Sequence, residues 1–252
     1  MLSDKSWQAV VESLTVSSQA TESSLAPFTS RSDVTLDAVK SYILSNNLVP
    51  GDPLPTEAQM CQELGVSRTS IREALRKLEA LDIVTRQQGK GTFVGSMSLK
   101  PMVESLILRS ALTQGDAHTA LHEVVFLRQL LDLGVAENLV EAMRGKQDHK
   151  LSDLVTAMEH KAAAGQTFLD EDIVFHQTLL GALNIPLLEQ ITQSLWLVHM
   201  ATVPKLTTVS PQGLMQTARA HADMVNAVQE GDAQKYKQAV LNHYAPLLNR
   251  MS

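Results

Sequence analysis

Residues 48–94 read LVPGDPLPTEAQMCQELGVSRTSIREALRKLEALDIVTRQQGKGTFV, and their punctuation decides the fold of the N-terminal third. Pro50-Gly51, Pro53 and Pro55 force a turn and an extended approach, because proline fixes φ and biases the residue before it away from the helical region. Thr56 then has the chemistry of an N-cap, with Gln59 three residues on as its capping-box partner. The helix it opens, EAQMCQEL, is short and stops at Gly65, a residue suited to the left-handed position after a helix. Ser67 caps a further helix, RTSIREALRKLEAL, in which Ile71, Leu75 and Leu78 form the buried stripe. After Leu81, IVTRQQGKGTFVG alternates apolar and polar residues about a glycine-containing turn, the pattern of a two-stranded hairpin.

Upstream, Leu36, Val39, Ile43 and Leu44 recur at helical spacing and predict a first helix that stops before VPGDP. Helix, helix, tight turn, helix, hairpin is the winged helix-turn-helix plan, placed at residues 34–96. Residues 1–33 include SLTVSSQATESSLAPFTSRSD, rich in Ser and Thr with weak periodicity, and read as a flexible arm. A short helix around Trp7–Leu14 is compatible with that arm. Beyond residue 97 the pattern is almost wholly helical, with helices predicted at about 100–113, 117–144, 148–163, 167–182, 185–202, 211–229 and 232–250. The predicted fold is therefore mainly α: a winged helix-turn-helix domain, then an all-α bundle of six or seven helices over residues 97–252.

Composition bounds the alternatives. The 252 residues are 44% hydrophobic, 19% charged and only 4% aromatic, which favours helix-on-helix packing over an aromatic-rich sandwich. A single cysteine, Cys61, excludes an internal disulfide framework. The N-terminus has no basic start followed by an apolar core, so it does not read as a secretory signal. The least charged stretch, Ile173–Leu188, is 16 residues long and is broken by His176, Gln177, Asn184 and Pro186. That is short of the ~18 residues of a membrane span, and the expectation is a cytoplasmic protein.

The net charge of −6 is spread unevenly: −2 over residues 1–34, 0 over 35–96 and −4 over 97–252. Within the neutral segment Arg68, Arg72, Arg76 and Lys77 crowd one stretch against Glu73 alone. Local basicity of this kind meets phosphates whatever the global sign. Arg68 and Arg72 share a face at the start of the helix that would enter the major groove, where an arginine fork pairs with guanine O6 and N7. Thr69 and Ser70 suit phosphate oxygens, and Gly89, Lys90 and Gly91 would let the wing backbone approach DNA closely. A solvated basic helix is the plain alternative.

Residues 35–95 resemble the DNA-binding domain of the GntR family of bacterial regulators. The resemblance places the family's DNA contacts on Arg68, Thr69, Ser70, Arg72 and Gly89. One position departs: many members carry an arginine directly after the glutamate of their P-x-E motif, and here that residue is Ala58.

Of eight histidines, two arrangements draw attention. Asp172 and His176 lie four apart, as do His118 and His122, so each pair projects from one helical face. Spacing alone does not separate the two pairs. His176 sits among Phe175, Leu179 and Leu180, and His221 and His243 each lie on a predicted helix with apolar neighbours. Three imidazoles and a carboxylate suit a borderline divalent ion, zinc first, with nickel or manganese as alternatives.

The C-terminal region is similar to the helical effector (FCD) domain of the FadR-type branch of that family. Its metal-binding members carry Asp-x3-His, then a His opening one helix and another 22 residues later in the last. The resemblance makes Asp172, His176, His221 and His243 the ligand set and leaves His118–His122 aside. It also places Arg128 where relatives bind an effector carboxylate, with Asp132 where many have Glu. A surface ion pair between Arg128 and Asp132 is the bland alternative. The resemblance implies a homodimeric repressor, not an enzyme. Such a protein would bind a pseudo-palindromic double-stranded operator under the control of a small organic acid held beside the metal. A metal-dependent hydrolase, or a regulator whose metal is structural or is itself the signal, are the competing readings.

Overall fold

The computed structural model describes residues 31–112, 117–202 and 210–249, so nearly all of the expected N-terminal arm, including Trp7–Leu14, lies outside the described residues. The described residues form eleven helices and one two-stranded antiparallel sheet, and the chain divides into two compact units, residues 1–101 and 102–252.

The first unit holds α1 (Arg31–Ser45), α2 (Glu57–Leu64), α3 (Arg68–Ala80), β1 (Val84–Gln87) and β2 (Gly91–Val94). Helix α1 starts five residues ahead of Leu36, the first residue of the predicted apolar repeat. Tertiary packing supplies the extra turn: Thr35 is buried, and Lys77 of α3 donates to Asp33 in that first turn over 2.7 Å. The capping box forms as its residue types dictate. The Thr56 amide donates to Gln59 Oε1 (2.9 Å) and the Gln59 amide donates to Thr56 Oγ1 (3.3 Å). Gly65 closes α2 at φ +66, and Ser67 accepts the Ser70 amide to open α3 (3.1 Å). The core beneath contains Val39, Ile43, Met60, Ile71, Leu75, Leu78, Val84 and Val94.

The hairpin pairs Val84 with Val94 and Gln87 with Gly91. Its outer edge is not bare. The Pro-rich approach lies along β2, where Leu54 donates to Thr92 O and Val94 donates to Asp52 O, each over 2.8 Å. Prolines cannot donate to a ladder, so this third rung registers only as a bridge at Pro53↔Phe93 and is not predictable as a strand.

The second unit holds α4 (Lys100–Leu112), α5 (Ala117–Gly134), α6 (Ala136–Met143), α7 (His149–Ala163), α8 (Leu169–Gly181), α9 (Pro186–Thr202), α10 (Pro211–Glu230) and α11 (Ala233–Leu248). These are eight helices where six or seven are expected, because the single helix predicted over 117–144 breaks at Val135 (φ −92, ψ 0), directly after Gly134. Glycine is a poor helix former, while the Val135 N–H···O Leu131 and Leu139 N–H···O Val135 bonds keep the two pieces nearly continuous. Helices α10 and α11 pack on each other, with α11 also against α5 and α10 against α7. Leu121, Leu139, Met158, Phe175, Leu179, Met224, Tyr236 and Val240 fill the core between them. No helix among the described residues is long and apolar enough to cross a membrane.

Candidate functional site

In the first unit, Arg68, Thr69 and Arg72 are exposed along the N-terminal part of α3, and Gly89 and Lys90 are exposed at the tip of the wing. Gly89 sits at φ +73 and Gly91 at φ +118, conformations that let backbone rather than a side chain lead the turn. Ser70 is half-buried, with its hydroxyl 2.9 Å from that of Ser67. Arg72 is tied to α2: its Nε donates to Glu57 Oε2 over 2.8 Å.

In the second unit four ligand-bearing side chains converge from three helices. Asp172 and His176 come from α8, His221 from α10 and His243 from α11, all buried, and each offers one ligand atom within 4.8 Å of the other three. His221 lies in the middle of α10, not at the start of a helix as the family pattern suggests. Asp172 Oδ1, His176 Nε2, His221 Nε2 and His243 Nδ1 lack a hydrogen-bond partner among the described residues. Buried polar atoms are rarely left this way.

The ring of His221 shows what the four groups call for. Its Nδ1–H donates to the carbonyl of Thr217 (2.9 Å), so in the neutral ring Nε2 presents a lone pair. That lone pair faces the carboxylate oxygen of Asp172 at 2.7 Å. Only positive charge between the two resolves the contact, either a second proton on the ring or a cation. Burial alone would raise Asp172, but with that second proton on His221 the ring's hydrogen bond and charge, together with His243 and Arg128, hold it at about 2. Burial and the positive charge of His221 and Arg128 push His176 and His243 well below the usual histidine value, leaving neutral rings with lone pairs to share. The donor set therefore fits a divalent cation.

Outer groups orient the ligands, as carboxylates and carbonyls do around metal-binding histidines. Tyr244 donates to Asp132 Oδ2 over 2.7 Å, and that same oxygen lies 3.5 Å from His176 Nδ1. Burial lifts Asp132 to about 6 against the opposing Tyr244 hydrogen bond and the charge of Arg128.

Arg128 is 3% exposed, which rules out a surface ion pair with Asp132. Its guanidinium carbon lies 3.6 Å from the centroid of Trp196, and its Nη1 donates to His199 Nδ1 over 2.7 Å. Burial and the charge of Arg128 drive His199 down to about 3, so it accepts this bond as a neutral ring. Arg128 Nε and Nη2 remain buried without partners among the described residues. Two unpaired donors on a fixed fork are the complement of a carboxylate. A cavity of about 340 Å³ joins Arg128 and His199 to Asp172 and His243.

Sequence reasoning does not find Trp196, His199 or Tyr244. Each sits on a helix among apolar neighbours, and the signal pairing His199 with Arg128, 71 residues away, exists only in three dimensions. Of the rejected pair, His122 stacks on Phe126 (6.0 Å, 15°) on the same helix, and the side chain of His118 lies outside the described residues.

Known proteins share both units. The model for "Bacterial regulatory proteins, gntR family" matches residues 32–94, and that for the FCD domain matches residues 123–246. The chain is similar to the galactonate operon transcriptional repressor of Escherichia coli (strain K12), 23% identical over 209 residues that cover 83% of this chain and 91% of that one. It is 28% identical over 205 residues to the HTH-type transcriptional regulator LutR of Bacillus subtilis (strain 168), covering 80% and 92% respectively. Among solved structures, Streptococcus agalactiae GntR matches with a TM-score of 0.60 at 26% identity, over 86% of this chain and 99% of that one.

Proposed function

The chain belongs to the gntR family of bacterial regulatory proteins, with an FCD domain in its second unit. From that premise we propose that this transcriptional regulator is a homodimeric repressor whose hold on a pseudo-palindromic operator is set by a small carboxylate bound beside a divalent cation. The observation that carries the reading is that four buried ligand atoms converge, and that two of their residues, Asp172 and His243, line one cavity with a buried arginine that has two unpaired donors. When bound, the cation supplies the positive charge that Asp172, His176, His221 and His243 converge on, and zinc suits three imidazoles and a carboxylate best.

The chain's own residues do the remaining work. Thr217 fixes the His221 ring, Asp132 with Tyr244 faces His176, and His199 with Trp196 holds the Arg128 fork toward the cavity. An acid whose carboxylate meets both Arg128 and the cation binds one conformational state better than another, and operator affinity shifts by that difference. The name of the E. coli relative, a galactonate operon repressor, supports an organic acid as the signal. On the DNA side Arg68 and Arg72 read bases, Thr69 and Ser70 meet phosphates, and Gly89 and Lys90 carry the wing. Exposed Phe126, Leu127 and Leu130 on α5 offer an apolar face for the second copy.

The test is elemental analysis of the purified full chain, followed by anisotropy titrations against duplexes selected from a random pool, with and without zinc and a panel of carboxylates. A stoichiometric divalent metal and a duplex affinity that a carboxylate changes support the proposal. A chain that holds no metal, or whose duplex binding ignores every acid, overturns it.

A further inference from the structure

The cavity beside Arg128 has a body as well as a charged head. Its volume of about 340 Å³ is at the lower end for small-molecule pockets. Arg128, His199, Asp172 and His243 are part of its lining. The rest of the wall is largely apolar: Phe168, Leu169, Trp196, Leu214, Pro246 and Leu247.

Several polar atoms near that wall are committed, while the Trp196 Nε1 donor is buried without a partner among the described residues. The Tyr244 hydroxyl donates to Asp132, the Thr217 carbonyl accepts from His221, and His199 Nδ1 accepts from Arg128. Among the described lining residues, the neutral hydroxyl side chains not engaged with one of these groups are Thr167 and Thr217. A polyhydroxy acid brought into such a space surrenders the hydration of several hydroxyls and recovers partners for few of them. Methylene groups in the same positions gain from leaving water.

We propose that this site selects, among carboxylates, those with an apolar, hydroxyl-poor body, and discriminates against sugar acids. The inference rests on the reading of the cavity as a carboxylate site and narrows it. It separates this chain from a sugar-acid signal of the kind the E. coli relative's operon name suggests, a relative only 23% identical.

The experiment compares sodium hexanoate with sodium gluconate, two six-carbon monocarboxylates that differ in their hydroxyls. Each is titrated calorimetrically into the zinc-loaded full chain and into Arg128→Ala. The expected result is hexanoate binding at least about tenfold tighter than gluconate, with that binding lost in Arg128→Ala. Gluconate binding as well or better, and depending on Arg128, overturns the apolar preference while leaving the carboxylate site standing. Hexanoate binding that survives in Arg128→Ala places the acid elsewhere and overturns the inference. Failure of both acids to bind overturns the inference and the carboxylate reading together. The wild-type ranking needs no variant, so a poorly folded Arg128→Ala does not rescue the idea.

Discussion

Arg72 and Glu57 are joined across the helix-turn-helix corner, with Nε donating to Oε2 at 2.8 Å while 61% of the arginine side chain stays exposed. The pair ties the exposed N-terminal part of α3 to the first turn of α2, and Glu57 holds the guanidinium even more firmly protonated by its hydrogen bond and its charge. Exposed pairs of this kind add little to stability, so their loss is felt mainly in recognition. Arg72→Ala is expected to weaken binding to the selected duplex roughly ten- to hundredfold with little change in melting temperature. Glu57→Gln removes the negative charge beside Arg72 and, on the proposed reading of α3, is expected to raise binding to unrelated duplexes. Fluorescence anisotropy at physiological salt measures both, and unchanged duplex affinity in Arg72→Ala removes that residue from base reading.

The wing is held at its base by a glycine that allows no side chain. A Cβ on Gly95 would collide with the backbone carbonyl of Asp82, and the Gly95 amide donates to Ile83 O over 2.8 Å. Backbone cannot swing aside as a flexible side chain can. Gly95→Ala should therefore destabilise the first unit by about 1–3 kcal/mol. Differential scanning calorimetry checks this: the transition of the first unit should fall while that of the second holds.

Asp82 gives the same region an acid limit. Its Oδ2 accepts the Ser98 amide (2.9 Å) and the Ser96 hydroxyl, and these bonds hold its pKa below the ordinary carboxylate value. The unfolded chain, titrating near about 3.9, binds this proton more readily than the folded one. Stability from Asp82 is thus fully present above that value and is lost as pH falls through the lower, folded pKa. Thermal melts from about pH 3 to 7 should show a steeper acid limb for the wild type than for Asp82→Asn, and parallel limbs would contradict this.

Zinc should stabilise the second unit by mass action, with the gain rising with free zinc over the dissociation constant. Chelation should reverse it. His221→Ala, which removes both the Thr217-oriented ring and a ligand, is expected to abolish the zinc-dependent rise in melting temperature. His122→Ala, which leaves all four ligands in place, should retain it. Equal responses in the two variants would rule out the four-residue site.

Arg128 is buried with two unpaired donors, an arrangement that costs free energy until an anion arrives. Arg128→Met keeps the volume and removes the charge. The acid-free protein should then melt at an equal or higher temperature while losing its response to carboxylates. A large destabilisation would mark Arg128 as a structural group held by Trp196 and His199 rather than one poised for a ligand.

Legibility in the sequence tracks the range of each interaction. The first unit is legible almost whole because its signals are local: Thr56 with Gln59, Gly65, and Ser67 with Ser70 each act within a few residues. The break at Val135 is hidden because its surroundings keep helical hydrogen bonds and an apolar pattern on both sides. For the four candidate metal ligands, the four-residue spacing of Asp172 and His176 is visible, yet His118 and His122 share it. Resemblance, not spacing, separates the two.

Taken alone, the residue order determined the helix caps, the tight turn, the hairpin and the candidate ligands, since each depends on neighbours along the chain. Only the packing of α5, α8, α9, α10 and α11 decided that His221 would face Asp172, that Arg128 would lie inside on Trp196, and that His199 would meet it. Those contacts join residues separated by tens of positions, and no local periodicity encodes which buried faces will meet.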